Sequence, residues 1–519
     1  MTRPTTHILR LLSWGRILAR HGALRGIERD INTPAQVRTL CRIARFGTVQ
    51  PREPDYAGAF TAIGPAAIKL GQALATRPDL VGELAARNLL SLQDDLPPVS
   101  FAAIKREIEA SFGKPLESLY SSIDEVAVGA ASIAQVHKAV TTDGRSVAVK
   151  VMRPGIREKL ARDIDTYEWA AAHLEALGGE ATRLRPRLVI ANFKRWTARE
   201  LDLRREAASA SELTEAMAGF EGYRIPGIDW DRTNGRVLTI DWIDGTKISD
   251  LAALDAAGID RPALAKRLVL AFLTQAISAG FFHADMHQGN LFVEPDGTIA
   301  AIDFGIMGRI DRRARVWLAE ILYGLTTGNY ARVAEIHFEA KYVPSYHSVD
   351  EFATALRAVG EPMRGKPVSE LSVGQMLDGL FAITRDFDMA TQPHLLLLQK
   401  TMVMVEGLAT QLDPAINMWD TSGPFVKNWI RDELGPEAAI AERLREDAQT
   451  IMRIPELVRR LEDSFPAKGG APEAPPLPHV PLVWDRRAQR SGTGWLGYGV
   501  AALLGGGALY AAQMLGWLG

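Results

Sequence analysis

Asp285 and Asn290 stand five residues apart, and Asp303 opens an Asp-Phe-Gly triplet thirteen residues further on. These oxygen-bearing side chains suit phosphate and divalent-cation chemistry. One carboxylate can position a nucleophile, while an amide oxygen and a second carboxylate hold a metal on phosphate oxygens. The stretch that carries them, residues 281–305, reads FFHADMHQGNLFVEPDGTIAAIDFG. Leu291-Phe292-Val293 and Ile299-Ala300-Ala301-Ile302 flank the turn signal Pro295-Asp296-Gly297, which predicts a β-hairpin with the two motifs on either side of it. His283 and His287 are four apart, but in a loop pattern. They are read as hydrogen-bonding scaffold for that loop and not as a zinc pair.

Other elements have to hold these groups in place. Upstream, VAVGAASIAQVHKA at 126–139 predicts a turn of small residues entering a strand, and small side chains let backbone N–H groups approach phosphate. Asp143-Gly144 predicts a hairpin, with Val147-Ala148-Val149-Lys150-Val151 as the return strand. Lys150 is the one charge in that apolar strand, and burying it alone is costly, so it calls for an anion: phosphate together with a helix carboxylate. Residues 57–92 have a helical pattern in which Lys69 and Gln72, three apart, share a face. Further helices are predicted over 101–112 and from Arg157 onward. The latter run includes the charged segment Arg199–Ala207, in which Asp202 and Glu206 share a face. A short strand over 236–240 and a long apolar helix over 261–280 lead into the central stretch.

Composition sets the limits. The chain has 519 residues, room for two or three domains. Lys plus Arg total 60 against 62 Asp plus Glu, a net charge of −2, which leaves no electrostatic footprint for nucleic acid. Cys41 is the only cysteine, so an intrachain disulfide and a cysteine-based zinc site are both excluded. Residues 1–30 carry six arginines with Ile8, Leu11, Leu12 and Leu18 near helical spacing; this reads either as a solvated helix or as a basic amphipathic helix on anionic lipid. Six prolines between 465 and 483 make a semi-extended linker. Beyond Arg490 no charged residue occurs, and residues 495–518 would span about 36 Å as a helix against roughly 30 Å of bilayer hydrocarbon. Trp495, Tyr498 and Trp517 lie towards its ends, and Arg486, Arg487 and Arg490 on its N-terminal side place the main body in the cytoplasm. Ala501 with Gly505, and Gly507 with Ala511, offer small-residue pairs for self-association.

Six motifs occur in order: KLGQ at 69–72, GAAS at 129–132, VAVKVMRPG at 147–155, ELDLRREA at 200–207, HADMHQGN at 283–290 and DFG at 303–305. The set resembles the UbiB/ADCK family of atypical, protein-kinase-like proteins, and protein kinases share the D-x-x-x-x-N and D-F-G order. The resemblance implies an α+β, two-lobed protein-kinase-like fold with family-specific N-terminal helices, a mostly helical C-lobe and a C-terminal transmembrane helix. On that reading the segments are 1–55, a basic helical region; 56–120, a helical extension with the KxGQ motif; 121–245, the N-lobe; 246–463, the C-lobe with a helical extension; 464–490, the Pro-rich linker; and 495–518, the membrane helix.

The resemblance also implies roles. Val128, Gly129, Ala130, Ala131, Ser132, Ile133, Ala134, Gln135 and Val136 would cover the nucleotide. Lys150 would contact the α- and β-phosphates and pair with Glu206. Lys69 and Gln72 would form a lid meeting Glu200 and Asp202. Asp285 would be the catalytic acceptor, and Asn290 and Asp303 would hold Mg2+, with ATP bound between the lobes. The implied activity is that of a membrane-anchored ATPase supporting ubiquinone (coenzyme Q) biosynthesis at the inner membrane. The alternatives are a small-molecule or lipid kinase and a nucleotide-binding scaffold. Membrane lipid, isoprenoid quinone intermediates and other quinone-biosynthesis enzymes are the expected partners. Three departures from the family pattern stand out. Gly129 replaces the first of three alanines, Met286 and Gln288 replace two prolines, which predicts a less rigid loop, and Ile240-Asp241 replaces a Met-Glu pair. No Ala-Pro-Glu follows the DFG triplet at the expected distance, which argues against a peptide substrate.

Overall fold

The computed structural model describes residues 4–25, 35–49, 51–75, 81, 83–92, 96–176, 185–361, 383, 386–389 and 393–434. Its strands are β1 (Tyr120–Ile123), β2 (Gly129–Ala130), β3 (Ala134–Thr141), β4 (Ser146–Met152), β5 (Tyr223–Arg224), β6 (Val237–Asp241), β7 (Thr246–Lys247), β8 (Phe281–His283), β9 (Leu291–Val293), β10 (Ile299–Ala301) and β11 (Met307–Arg309). The helices run α1 (Pro4–Arg20), α2 (Ala35–Arg45), α3 (Tyr56–Ile63), α4 (Pro65–Ala75), α5 (Glu83–Leu90), α6 (Phe101–Phe112), α7 (Ile156–Ala176), α8 (Pro186–Glu200), α9 (Leu203–Ala216), α10 (Leu251–Ala256) and α11 (Arg261–Leu273). They continue with α12 (Arg312–Thr327), α13 (Tyr330–Glu339), α14 (Val349–Gly360), α15 (Pro393–Leu412) and α16 (Met418–Leu434). The described residues fall into two compact units: one takes those up to Ala208 with Gly227–Trp242, the other Ser209–Pro226 and those from Ile243 to Leu434.

In the first unit an antiparallel sheet runs β1-β3-β4-β6, with β2 paired to β3. The β3–β4 hairpin closes as the sequence predicts, with Gly144 at φ 85°. Side chains alternate across a strand, and that period sorts β4. Val147, Val149 and Val151 are buried against Ile104 and Ile108 of α6. Ala148 and Met152 turn to the other face, in one cluster with Leu160 and Ile164 of α7 and Leu203 and Ala207 of α9. Lys150 lies between those two in the alternation and so shares their face.

The N-terminal helix α1 is neither freely solvated nor apolar-face outward. Leu11 and Trp14 join the core cluster of α7, Arg10 reaches the Thr166 hydroxyl at 2.8 Å, and Leu12 remains 46% exposed. The physical reason is that α7 offers both an apolar seat and polar groups, Asp163 and Thr166, matched to Arg10 and His7.

The second unit carries a four-stranded sheet, β5-β10-β9-β7, and the pair β8–β11. The hairpin expected around Pro295-Asp296-Gly297 is β9–β10, with Leu291 opposite Ala301, Val293 opposite Ile299, and Gly297 at φ 83°. The helix expected over 261–280 is α only as far as Leu273. Thr274–Ala279 form a π turn, stopped by Gly280 in the left-handed region. A side chain at Gly280 would bring Cβ to 2.5 Å from the Ile310 carbonyl oxygen. After Gly305 the chain makes only β11 before α12 begins, where Asp311 caps the helix through the Ala314 N–H. Helix α15 packs along α11 and against β11. No helix among the described residues is long and apolar enough to cross a membrane. The expected linker at 464–490 and membrane helix at 495–518 lie outside the described residues.

Candidate active site

In the first unit, Lys150 Nζ lies 2.7 Å from Glu206 Oε1, with Glu206 itself buried. Glu206 sits between Leu203 and Ala207, whose burial in the cluster beneath β4 turns its carboxylate towards the lysine. Only part of the small-residue loop is open. Val128 is exposed, but Ser132, Ile133, Ala134 and Gln135 are buried, so their side chains serve the core more than they cover a ligand. Gln135 Oε1 accepts the Val99 N–H at 2.9 Å. Ser132 Oγ is buried with no hydrogen-bond partner, an orphaned hydroxyl at the turn. At Gly129 an added Cβ would meet nothing within 4 Å, so there is room for an alanine there.

Also in the first unit, Lys69 Nζ lies 3.2 Å from Glu200 Oε1; Lys69 is buried and the Glu200 side chain is only 10% exposed. Asp202 is not its partner: the Asp202 carboxylate is taken by Arg204 at 2.7 and 2.9 Å, close by in sequence, and accepts the Arg204 backbone N–H as well. That grip holds the Asp202 carboxyl below its ordinary range. Gly71, inside the same motif, has no room for a side chain, since a Cβ would stand 2.4 Å from Leu92 Cδ1 and 2.7 Å from Phe60 Cδ1. Gln72 lies on α4, three residues after Lys69. At the end of β6, Ile240 is buried and the Asp241 carboxylate accepts the Gly227 N–H.

In the second unit the hairpin brings Asn290 and Asp303 to the same end of β9–β10, where the Ile302 N–H bonds the Asn290 carbonyl. Asn290 Nδ2 donates to the Asp285 carbonyl at 3.1 Å, which leaves its Oδ1 as a donor for a cation. Asp303 Oδ1 accepts the Gly305 N–H. An amide oxygen and a carboxylate are too few to cage a metal. They fit Mg2+, a hard cation that takes one or two protein oxygens and completes its shell with phosphate and water. The loop is held by hydrogen bonds. His283 Nδ1 accepts the Asp285 N–H, His287 Nδ1 accepts the Gly289 N–H, and Met286 is buried. Burial lowers the pKa of His283 even though the Asp303 and Asp285 carboxylates pull it up, so the ring stays neutral. The Gln275 side chain, set by the π turn, anchors the backbone here by accepting the His283 N–H at 3.0 Å.

Residues 91–337 match the model of the ABC1 atypical kinase-like domain, and residues 356–417 that of the UbiB helical domain. The chain is 41% identical over 408 residues to the probable protein kinase UbiB of Aeromonas hydrophila, covering 77% of this chain and 75% of that one. The chain belongs to the UbiB family. A second family member, the probable protein kinase UbiB of Marinobacter nauticus, is 37% identical over 457 residues, 87% of this chain and 83% of its own. A solved structure, Rv3197 of Mycobacterium tuberculosis in complex with erythromycin, is similar in fold at a TM-score of 0.50 and 24% identity, covering 72% of this chain and 93% of that one.

Within the kinase-like fold of the family, the structure thus brings together Lys150 with Glu206, Lys69 with Glu200, and Asp285 with Asn290. One charged contact escapes the sequence reading altogether. Lys400 of α15 lies 3.2 Å from Asp285 Oδ1, and it belongs to the UbiB helical domain. The signal that could have found it is the one that marks Lys150: a lone charge in an apolar run, here LLLLQKTMVMV.

Proposed function

We propose that this chain is an atypical kinase-like ATPase that binds Mg-ATP and supports ubiquinone biosynthesis from the membrane. The observation that carries the nucleotide assignment is the part-buried Lys150–Glu206 pair at 2.7 Å beside a turn of small residues. Glu206 holds the ammonium in place, where it would meet the α- and β-phosphates of bound nucleotide. Asn290 and Asp303 supply oxygen donors for magnesium, which when bound neutralises charge on the β- and γ-phosphates. Asp285 accepts the proton of the attacking hydroxyl or water. The acceptor oxygen bonds to the γ-phosphorus as the bridge to the β-phosphate breaks, and ADP leaves with the bonding electrons. The short path from Gly305 to α12 supports an acceptor other than a peptide. The family resemblance supports the quinone assignment, and the charge-free run at 495–518 supports a single-pass anchor with the body in the cytoplasm.

One preparation tests these readings. The full chain, purified with and without anionic vesicles and phenolic isoprenoids, is assayed for Mg-ATP affinity and phosphate release. Asp303→Asn should weaken magnesium-dependent ATP binding about tenfold or more. Unchanged Mg-ATP affinity in that variant refutes the ligand assignment, and a full chain that stays soluble without detergent refutes the anchor. Phosphate recovered on the isoprenoid, instead of in solution, would turn the ATPase into a lipid kinase.

A further inference from the structure

Asp285 is gripped from outside its own loop. Its Oδ1 lies 3.2 Å from Lys400 Nζ, 115 residues away in sequence, while its Oδ2 faces His287 Nε2 at 3.6 Å, beyond a good hydrogen bond. The lysine is not there by accident of a flexible surface. On α15, Leu398, Thr401, Val405, Leu408, Ala409 and Leu412 form a buried stripe at three- and four-residue spacing. That stripe packs the helix along α11 and against β11, and β11 pairs with β8, whose end leads into Asp285. Helix rotation and strand register together aim Lys400 at the carboxylate. No other ammonium or guanidinium is within ion-pair distance of Asp285 among the described residues.

We infer that Lys400 is a positioning residue for Asp285, and that the helical domain thereby completes the site of the kinase-like domain. The inference rests on the proposed role of Asp285 as proton acceptor. A carboxylate taking a proton in the transition state must present one oxygen and hold its plane still. A charge-assisted bond to Oδ1 does that and leaves Oδ2 to receive the proton. The helical domain, on this view, is part of the catalytic apparatus and not an appendage to it.

The test uses the full chain and four variants: Lys400→Met, Lys400→Arg, Asp285→Asn and the double Asp285→Asn/Lys400→Met. Methionine keeps the apolar stem of the side chain and removes only the charge. Phosphate release gives kcat, equilibrium binding gives Mg-ATP affinity, and a thermal midpoint checks that each variant is folded. Lys400→Met should lower kcat roughly ten- to a hundredfold with Mg-ATP affinity within about twofold. Lys400→Arg should recover most of that loss, and the double variant should be no slower than Asp285→Asn alone. An unchanged kcat in Lys400→Met overturns the inference. So does a raised kcat, which would make the lysine a brake, or a further loss on the Asp285→Asn background. Should Lys400→Met not fold, a Lys400→Arg variant with altered ATP affinity but unaltered kcat overturns it as well. A wild-type chain that neither binds nor turns over Mg-ATP would instead strike down the proposed function, and this inference with it.

Discussion

The KxGQ motif makes a prediction whose size can be worked out. Lys69 Nζ and Glu200 Oε1 are 3.2 Å apart, and their side chains are 8% and 10% exposed. At that spacing, with an effective dielectric near 20, the gross attraction is about 5 kcal/mol. Desolvation offsets much of it, so the net value of the pair is small, but deleting one member leaves a buried charge behind. Each of Lys69→Met and Glu200→Gln should therefore destabilise the first unit by about 3 kcal/mol, and the double variant by much less than the sum, a coupling of about 1–3 kcal/mol. Lys69 also stands 5.9 Å from the Trp196 ring centroid. Urea unfolding followed by tryptophan fluorescence thus reads the right region, and the cycle removes that extra contact from the result. Asp202 is the control. Its carboxylate belongs to Arg204, so a Lys69/Asp202 cycle should be additive within about 0.5 kcal/mol. Additivity at Lys69/Glu200, or equal coupling at both carboxylates, refutes the assignment of the lid contact.

Two further outcomes follow from burial. His7, His137, His283 and His337 all have pKa values lowered from 6.5, each chiefly by desolvation, so each is held neutral in the folded chain. At each of these rings the unfolded chain binds more protons than the folded one below 6.5, so the rings' contribution to stability falls as pH drops from there, against the opposite drift of Glu406, whose carboxyl burial pushes up to about 7. Between pH 7 and pH 5 the urea midpoint of His337→Gln, taken relative to its own value at pH 7, should lie above that of the parent chain; an identical pH slope in that variant refutes the contribution of this ring. Gly71→Ala should cost about 1–3 kcal/mol, because the new Cβ falls 2.4 Å from Leu92 Cδ1 in a packed core, and an unmoved thermal midpoint would contradict that.

Local chemistry makes some features of this protein legible from the sequence alone. Pro295-Asp296-Gly297 between two apolar triplets determines the β9–β10 hairpin, and with it the placing of Asn290 and Asp303 at one end. Asp143-Gly144 and the alternating valines determine β3–β4 and the face on which Lys150 lies. Turn residues and side-chain period act over a few residues, so a linear reading captures them. Pair choice is another matter. Glu200 and Asp202 stand two apart and look interchangeable as partners for Lys69. The end of α8 buries the first beside the lysine, while the start of α9 gives the second to Arg204. The loop residues from Ser132 to Gln135 look like ligand cover, and only the packing of the sheet shows them buried. The change from α to π geometry at Thr274, which hands the Gln275 side chain to the His283 N–H, has no marker in the apolar run that contains it. Lys400 reaches Asp285 across 115 residues because α15 packs on α11 and β11. Such contacts depend on how whole elements seat against one another. Burial of apolar surface sets that seating over the entire unit, and no window of sequence contains it.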